Sequence, residues 1–211
     1  VLTAGGDPSE IALTFDDGPN DVATPHLLDL LALHGVRATF FVMGSYVQRY
    51  PELTRRTIAE GHLLGNHTML HPRLSIQPAK RIRQELADCN AVIEGATGAA
   101  VSYFRPPFGA RRPFVLRAAR ELGLTPVLWN VSGYDWKPIG AAGILGNLTR
   151  GIARNRRWNR GSNLLLHDGG HNAAGEPRMD TVRAVERLLS ARNDSDRYVT
   201  VDAFAAEVRC S

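Results

Sequence analysis

Asp16 and Asp17 stand side by side at the end of the apolar run "IALTF", with Gly18 and Pro19 directly after them. Adjacent carboxylates repel, and in a continued strand they point to opposite faces. A Gly-Pro turn breaks the pleat and lets both reach one cavity, where a divalent cation removes the repulsion. "DDG" alone reads as an Asx-type turn with two solvated carboxylates. In "HTMLHP" (67–72), His67 and His71 are four residues apart. On a helical turn both imidazoles share a face, as zinc ligation requires. By itself this pair also reads as two capping or core histidines. Taken together, two histidines and one carboxylate leave a coordination position open, the pattern of a catalytic rather than a structural zinc site. The second carboxylate then stays free to act as a base.

The elements that must position these residues are short apolar runs alternating with amphipathic patterns. Strands are expected over 11–15, 38–42, 62–67, 102–105, 126–131, 162–168 and 198–201. Helices are expected over 25–35, 51–61, 78–96, 112–123, 141–155, 180–192 and 202–208. Pro25 suits a first turn and Gly35 a C-terminal cap. Ile82, Leu86, Cys89 and Ile93 recur at helical spacing. This βαβα order predicts a parallel sheet covered by helices, open or closed into a barrel. The polar motifs fall at strand C-terminal ends: Asp16–Asp17, His67, Arg105, 130–135 and His167–Asp168. In such folds that edge is where sites are built.

Composition is ordinary for a globular chain: 211 residues, 44% hydrophobic, 22% charged, net charge +4. No apolar stretch approaches the length of a membrane span. The opening residues "VLTAGGDPSE" lack the basic-then-apolar pattern of a signal peptide, which leaves the compartment open. The densest basic stretch, "RNRRWNR" (154–160), reads either as a solvated loop with one packed Trp or as an anion-binding loop with Trp158 as a stacking platform. Cys89 and Cys210 are two buried thiols or one disulfide. The polar, Gly-rich segment 169–179 is a plain connector or a rim of the substrate groove. His26, His34, His62 and His171 match no motif and read as surface or core residues.

"TFDDGP" (14–19), "HTMLHP" (67–72), "RPPFG" (105–109), "DW" (135–136) and "LLLHD" (164–168) resemble, in order and spacing, the motifs of the polysaccharide deacetylases, the NodB-homology domains of carbohydrate esterase family four. The resemblance covers about residues 11–204 and implies a single domain, 1–211, with a distorted, incomplete (β/α)7-type barrel. It implies that Asp17, His67 and His71 are the metal ligands and Asp16 the base. Arg105 holds that base, His167 is the acid and Asp135 orients it. The backbone N–H of Phe108 is the oxyanion donor, Trp136 and Leu165 wall the acetyl methyl, and Pro106, Pro107 and Gly109 shape the loop. Two positions depart from the common pattern: Phe108 stands where Tyr is frequent, and Ser132 where an acidic residue is frequent.

The expected activity is metal-dependent removal of N-acetyl groups from N-acetylglucosamine polymers, chitin or peptidoglycan, with release of acetate. The same site suits an acetylxylan O-deacetylase or a hydrolase of a small cyclic amide or imide; a carbohydrate-binding relic is a further alternative. The expected cofactor is one divalent ion, zinc first, with Co2+ or Ni2+ also suited. The expected partner is a polysaccharide or oligosaccharide, with no nucleic acid and no transmembrane segment. A secreted or cell-envelope monomer is expected.

Overall fold

The computed structural model describes residues 1–173 and 175–209, so Cys210 and its pairing with Cys89 lie outside the described residues. The chain runs β1 (Glu10–Gly18), α1 (Ala23–His34), β2 (Thr39–Val42), α2 (Gly44–Arg49), α3 (Pro51–Ala59) and β3 (Leu63–Asn66). It continues through α4 (Ala79–Thr97), β4 (Tyr103–Phe104), α5 (Pro113–Glu121), β5 (Thr125–Pro126), β6 (Val131–Ser132) and α6 (Gly140–Arg157). It closes with β7 (Ser162–His167), α7 (Met179–Ser190), β8 (Arg197–Tyr198) and α8 (Val201–Arg209). Every strand pair is parallel, in the order β5-β4-β3-β2-β1-β7-β6, with β8 added against the start of β1. The seven strands curl into an incomplete (β/α) barrel wrapped by helices, the expected fold.

β1 is the central strand, and all nine of its residues are buried. A parallel strand covered on both faces needs the unbroken apolar run seen in its sequence. The expected stripe of α4 packs inward: Ile82, Leu86, Cys89 and Ile93 are buried, and Glu85 joins them. Gly35 caps α1 in the left-handed conformation, φ 62°, and its N–H returns to the helix carbonyls.

Three elements differ from expectation. The strand expected over 198–201 is the two-residue β8, with Val201 already in α8. The single strand 126–131 is two short strands with no helix between them. β5 pairs with β4, while β6 pairs with β7 on the other edge of the sheet. Residues 127–130 cross that gap, keeping a backbone bond from the Val127 N–H to the Phe104 carbonyl and one from the Asn130 N–H to the Asn163 carbonyl, and side chains add to them. Asn163 Nδ2 donates to the Leu128 carbonyl at 2.8 Å, and the Asn130 side-chain oxygen accepts the Asn163 N–H at 2.9 Å. α2 was not expected, because six residues are too few for a periodic signal. Its first N–H groups donate to the carbonyls of Thr68 and Met69 and so hold the loop that carries His67 and His71. Trp158 is 72% exposed rather than packed, just past the end of α6. Arg154 and Arg156 of that helix are tied to the Asn130 carbonyl and to Asp196.

The C-terminal ends of β1 and β7 interlock. The Asp168 N–H donates to the Asp16 carbonyl at 3.1 Å. A Cβ on Gly169 would lie 2.1 Å from the Asp17 carbonyl oxygen, a backbone atom that cannot move alone. Gly169→Ala is therefore expected to destabilise the fold by about 1–3 kcal/mol. Gly95→Ala, in the exposed face of α4 with nothing within 4 Å of the new methyl, is expected to stabilise it by roughly 0.5–1 kcal/mol. Urea unfolding of both variants measures the contrast.

Candidate active site

β1 ends in a bulge that separates the two aspartates. The register against β2 shifts between Asp16 and Gly18, and Asp17 has φ 69°. The pleat therefore breaks at Asp17 itself, one residue before the expected turn, and both carboxylates face one cavity of about 380 Å³. His67 and His71 are also brought together by left-handed residues rather than by a helical turn. Thr68 has φ 70° and His71 φ 56°, and no helix spans them. The Asn66 side-chain oxygen accepts the Thr68 N–H at 2.7 Å, and the Thr68 hydroxyl accepts the His71 N–H at 3.0 Å. The Glu85 carboxylate, buried in α4, accepts the Leu70 N–H at 2.8 Å. Asn66 and Glu85 build the loop, and neither was singled out by sequence.

The two histidines converge on Asp17. His67 Nε2 lies 3.3 Å and His71 Nε2 3.2 Å from Asp17 Oδ1. The candidate ligand atoms of these three buried residues all lie within 4.8 Å of one another. His67 Nδ1 is 2.7 Å from the Arg105 carbonyl. That acceptor fixes the proton on Nδ1 and leaves the Nε2 lone pair aimed into the cluster. Burial, together with the nearby His67, pushes His71 down to about 3, so it is a neutral imidazole. Burial works against a charge on Asp17, yet its hydrogen bond to His171 and the neighbouring His67 hold the carboxyl well below the ordinary range. Asp17 Oδ1 accepts no hydrogen bond of ordinary geometry. Burial opposes a charge on His67, but Asp16 and Asp17 outweigh it and raise the imidazole above its ordinary range, so a cation would bind there in exchange for a proton. Two imidazole nitrogens and one carboxylate oxygen thus face a common point. They fit a divalent cation there, and a mixed N/O donor set suits a borderline metal.

Asp16 is held separately. Arg105, fully buried, donates from one terminal nitrogen to Asp16 Oδ1 at 2.8 Å and to the Thr14 hydroxyl at 2.6 Å. Its other terminal nitrogen reaches Asn163 Oδ1 at 3.2 Å. Asp16 Oδ2 is left facing the Asp17–His67–His71 cluster, 3.9 Å from His67 Nε2.

His167 ends β7 on the same cavity. The Asp135 carboxylate accepts from His167 Nδ1 at 2.8 Å, from the His167 N–H at 2.7 Å and from the Thr181 hydroxyl at 2.8 Å. Burial opposes a charge on His167, but Asp135 outweighs it and raises the imidazole to about 9. His167 is therefore a cation at neutral pH. The Trp136 ring stands edge-on to it at 5.4 Å.

Phe108 and Leu165 line the cavity beside Trp136. Phe108 sits at φ 56° with its ring edge-on to His71. Pro107 and Gly109 share the 3₁₀ turn with Phe108 but do not line the cavity. Pro107 is buried, and Gly109, at φ 66°, backs onto the Trp129 ring. Three lining residues escaped sequence reasoning: Trp129, His171 and Arg178. His171 and Arg178 belong to the 169–179 segment, which is a wall of the cavity rather than a plain connector. Arg178 donates to the Gly169 and Asp135 carbonyls at 2.8 and 3.3 Å. Of the other unassigned histidines, His62 is buried and its Nδ1 accepts the Ala38 N–H at 3.1 Å, a structural role.

Residues 4–127 match the polysaccharide deacetylase family. The chitooligosaccharide deacetylase of Sinorhizobium fredii is 40% identical over 92% of this chain and 90% of its own length. The peptidoglycan-N-acetylglucosamine deacetylase of Bacillus cereus is 34% identical over 93% of this chain and 68% of its own. The solved structure of the peptidoglycan N-acetylglucosamine deacetylase Bc1960 superposes with a TM-score of 0.83 at 31% identity, covering 96% of this chain and 91% of that one. The motifs, the barrel and these matches agree, and the chain belongs to the polysaccharide deacetylase family.

Proposed function

We propose that this protein removes N-acetyl groups from N-acetylglucosamine-containing saccharides, chitooligosaccharides first and peptidoglycan second, as one domain acting outside the cytoplasm. The observation that carries the reading is the meeting, in one cavity, of an Arg-held carboxylate, a His2Asp cluster and an Asp-held histidine. Family membership and the 40% identity to a chitooligosaccharide deacetylase support the substrate class. Among the described residues no helix is long and apolar enough to cross a membrane.

Asp17, His67 and His71 would hold the metal, zinc by the borderline character of the set. When bound, it supplies Lewis-acid polarisation and a lowered pKa for a coordinated water. The chain's own residues divide the proton work. Asp16 Oδ2 takes a proton from the attacking water, because Oδ1 is committed to Arg105. The oxygen adds to the acetyl carbonyl carbon, and the Phe108 N–H stabilises the resulting oxyanion, a contribution of about 3–4 kcal/mol per donor in other enzymes. His167 Nε2 delivers its proton to the amide nitrogen as the C–N bond breaks, leaving acetate and a free amine. Base and acid approach from different walls, as amide hydrolysis requires. Trp136 and Leu165 exclude a group much larger than the acetyl methyl.

Acetate release from chitooligosaccharides, peptidoglycan and acetylxylan, with and without a chelator, tests this reading. Asp16→Asn is expected to retain zinc and lose about 10³-fold in kcat/KM. Zinc-loaded wild-type protein that releases acetate from none of these substrates, or Asp16→Asn protein that releases it at the wild-type rate, contradicts the proposal.

The acid also sets a pH limit. His167 donates only while protonated, so kcat is expected to fall as pH rises through about 9. Asp135→Asn removes the partner that favours the cation and leaves burial, which opposes it. The alkaline limb of the kcat profile should then move to lower pH, with the acidic limb unmoved.

A further inference from the structure

His171 lies in the cavity with no part in the reaction described above. Its Nδ1 is 3.4 Å from Asp17 Oδ2. Its ring stacks on His71 at 4.3 Å between centroids and 19° between planes. The Phe108 ring stands edge-on to both imidazoles. The backbone before it is pinned from two sides: the Tyr46 hydroxyl donates to the Gly170 carbonyl at 2.9 Å, and Arg178 holds the Gly169 carbonyl. His171 therefore stands on a fixed stem, although its side chain is 35% exposed.

Asp17 divides its two oxygens. Oδ1 faces the Nε2 atoms of His67 and His71, and Oδ2 faces His171. A metal-ligating carboxylate whose outer oxygen accepts a hydrogen bond is fixed in rotation and offers one oxygen rather than two. From this division we infer that His171 is a positioning residue of the metal site, donating from Nδ1 to the outer oxygen of Asp17. It thereby raises affinity for a divalent cation. The inference rests on the reading of Asp17, His67 and His71 as ligands. It explains why a histidine outside every motif packs flat against one of them.

The test is zinc affinity of the metal-free protein, by competition with a chromogenic chelator, beside its melting temperature without metal. His171→Ala is expected to weaken zinc binding about 10- to 100-fold while the metal-free melting temperature holds. His171→Asn, whose amide N–H can replace Nδ1–H, is expected to recover most of the affinity. An alanine variant that binds zinc within about threefold of wild type, or an asparagine variant as impaired as alanine, overturns the inference while the ligand assignment stands. A His67→Ala variant that binds zinc as tightly as wild type overturns the ligand assignment, and this inference with it.

Discussion

The site depends on one buried cation. The Arg105 guanidinium is fully enclosed, and such a charge is tolerated only when it is paired and hydrogen-bonded. Its partners come from three segments of the barrel: Thr14 and Asp16 from β1, Asn163 from β7, and the Leu128 carbonyl from the crossing segment. Its plane also lies over the Phe41 ring at 4.2 Å. The same residue acts through its backbone, because its carbonyl sets the tautomer of His67. One position thus fixes both the carboxylate proposed as base and one of the proposed metal ligands. It also knits the gap between β5 and β6.

The remaining buried charges follow the same rule. Asp135 is satisfied by His167 and Thr181, and Glu85 by the Leu70 N–H and Arg81. Asp168 takes a different course. Burial, partly offset by the Thr24 hydroxyl, pushes its carboxyl up to about 7, so it is a partly protonated anchor between β7 and α1 rather than another full negative charge beneath the cavity. An exception is the Asp17–His67–His71 cluster, where two imidazoles crowd a carboxylate oxygen that accepts no hydrogen bond of ordinary geometry. That local conflict is the kind of inconsistency folded chains keep at functional sites.

Much of this was legible in the sequence because the signals were periodic or carried turn residues. The α4 stripe, the Gly35 cap and the continuous apolar β1 each follow from local rules. "TFDDGP", "HTMLHP" and "LLLHD" lie where strands end, which put their side chains at one edge. What failed to show was set by tertiary contact. The strand expected over 126–131 divides because its two ends find different partners, β4 and β7. The turn at His67–His71 is built by Asn66, Thr68 and Glu85 rather than by helical spacing. His171 belongs to the site only because its loop folds back over Asp17. No period or spacing marks it, and the polar, Gly-rich composition of 169–179 was the only hint.

Arg105→Lys tests the central claim most directly, since it removes the guanidinium fork while leaving the backbone carbonyl to His67. Zinc affinity and acetate release are measured together on the folded variant. The dual role of Arg105 predicts zinc affinity within about threefold of wild type and a loss of acetate release of about 100-fold or more. Parallel loss of zinc, or acetate release at the wild-type rate, would contradict it.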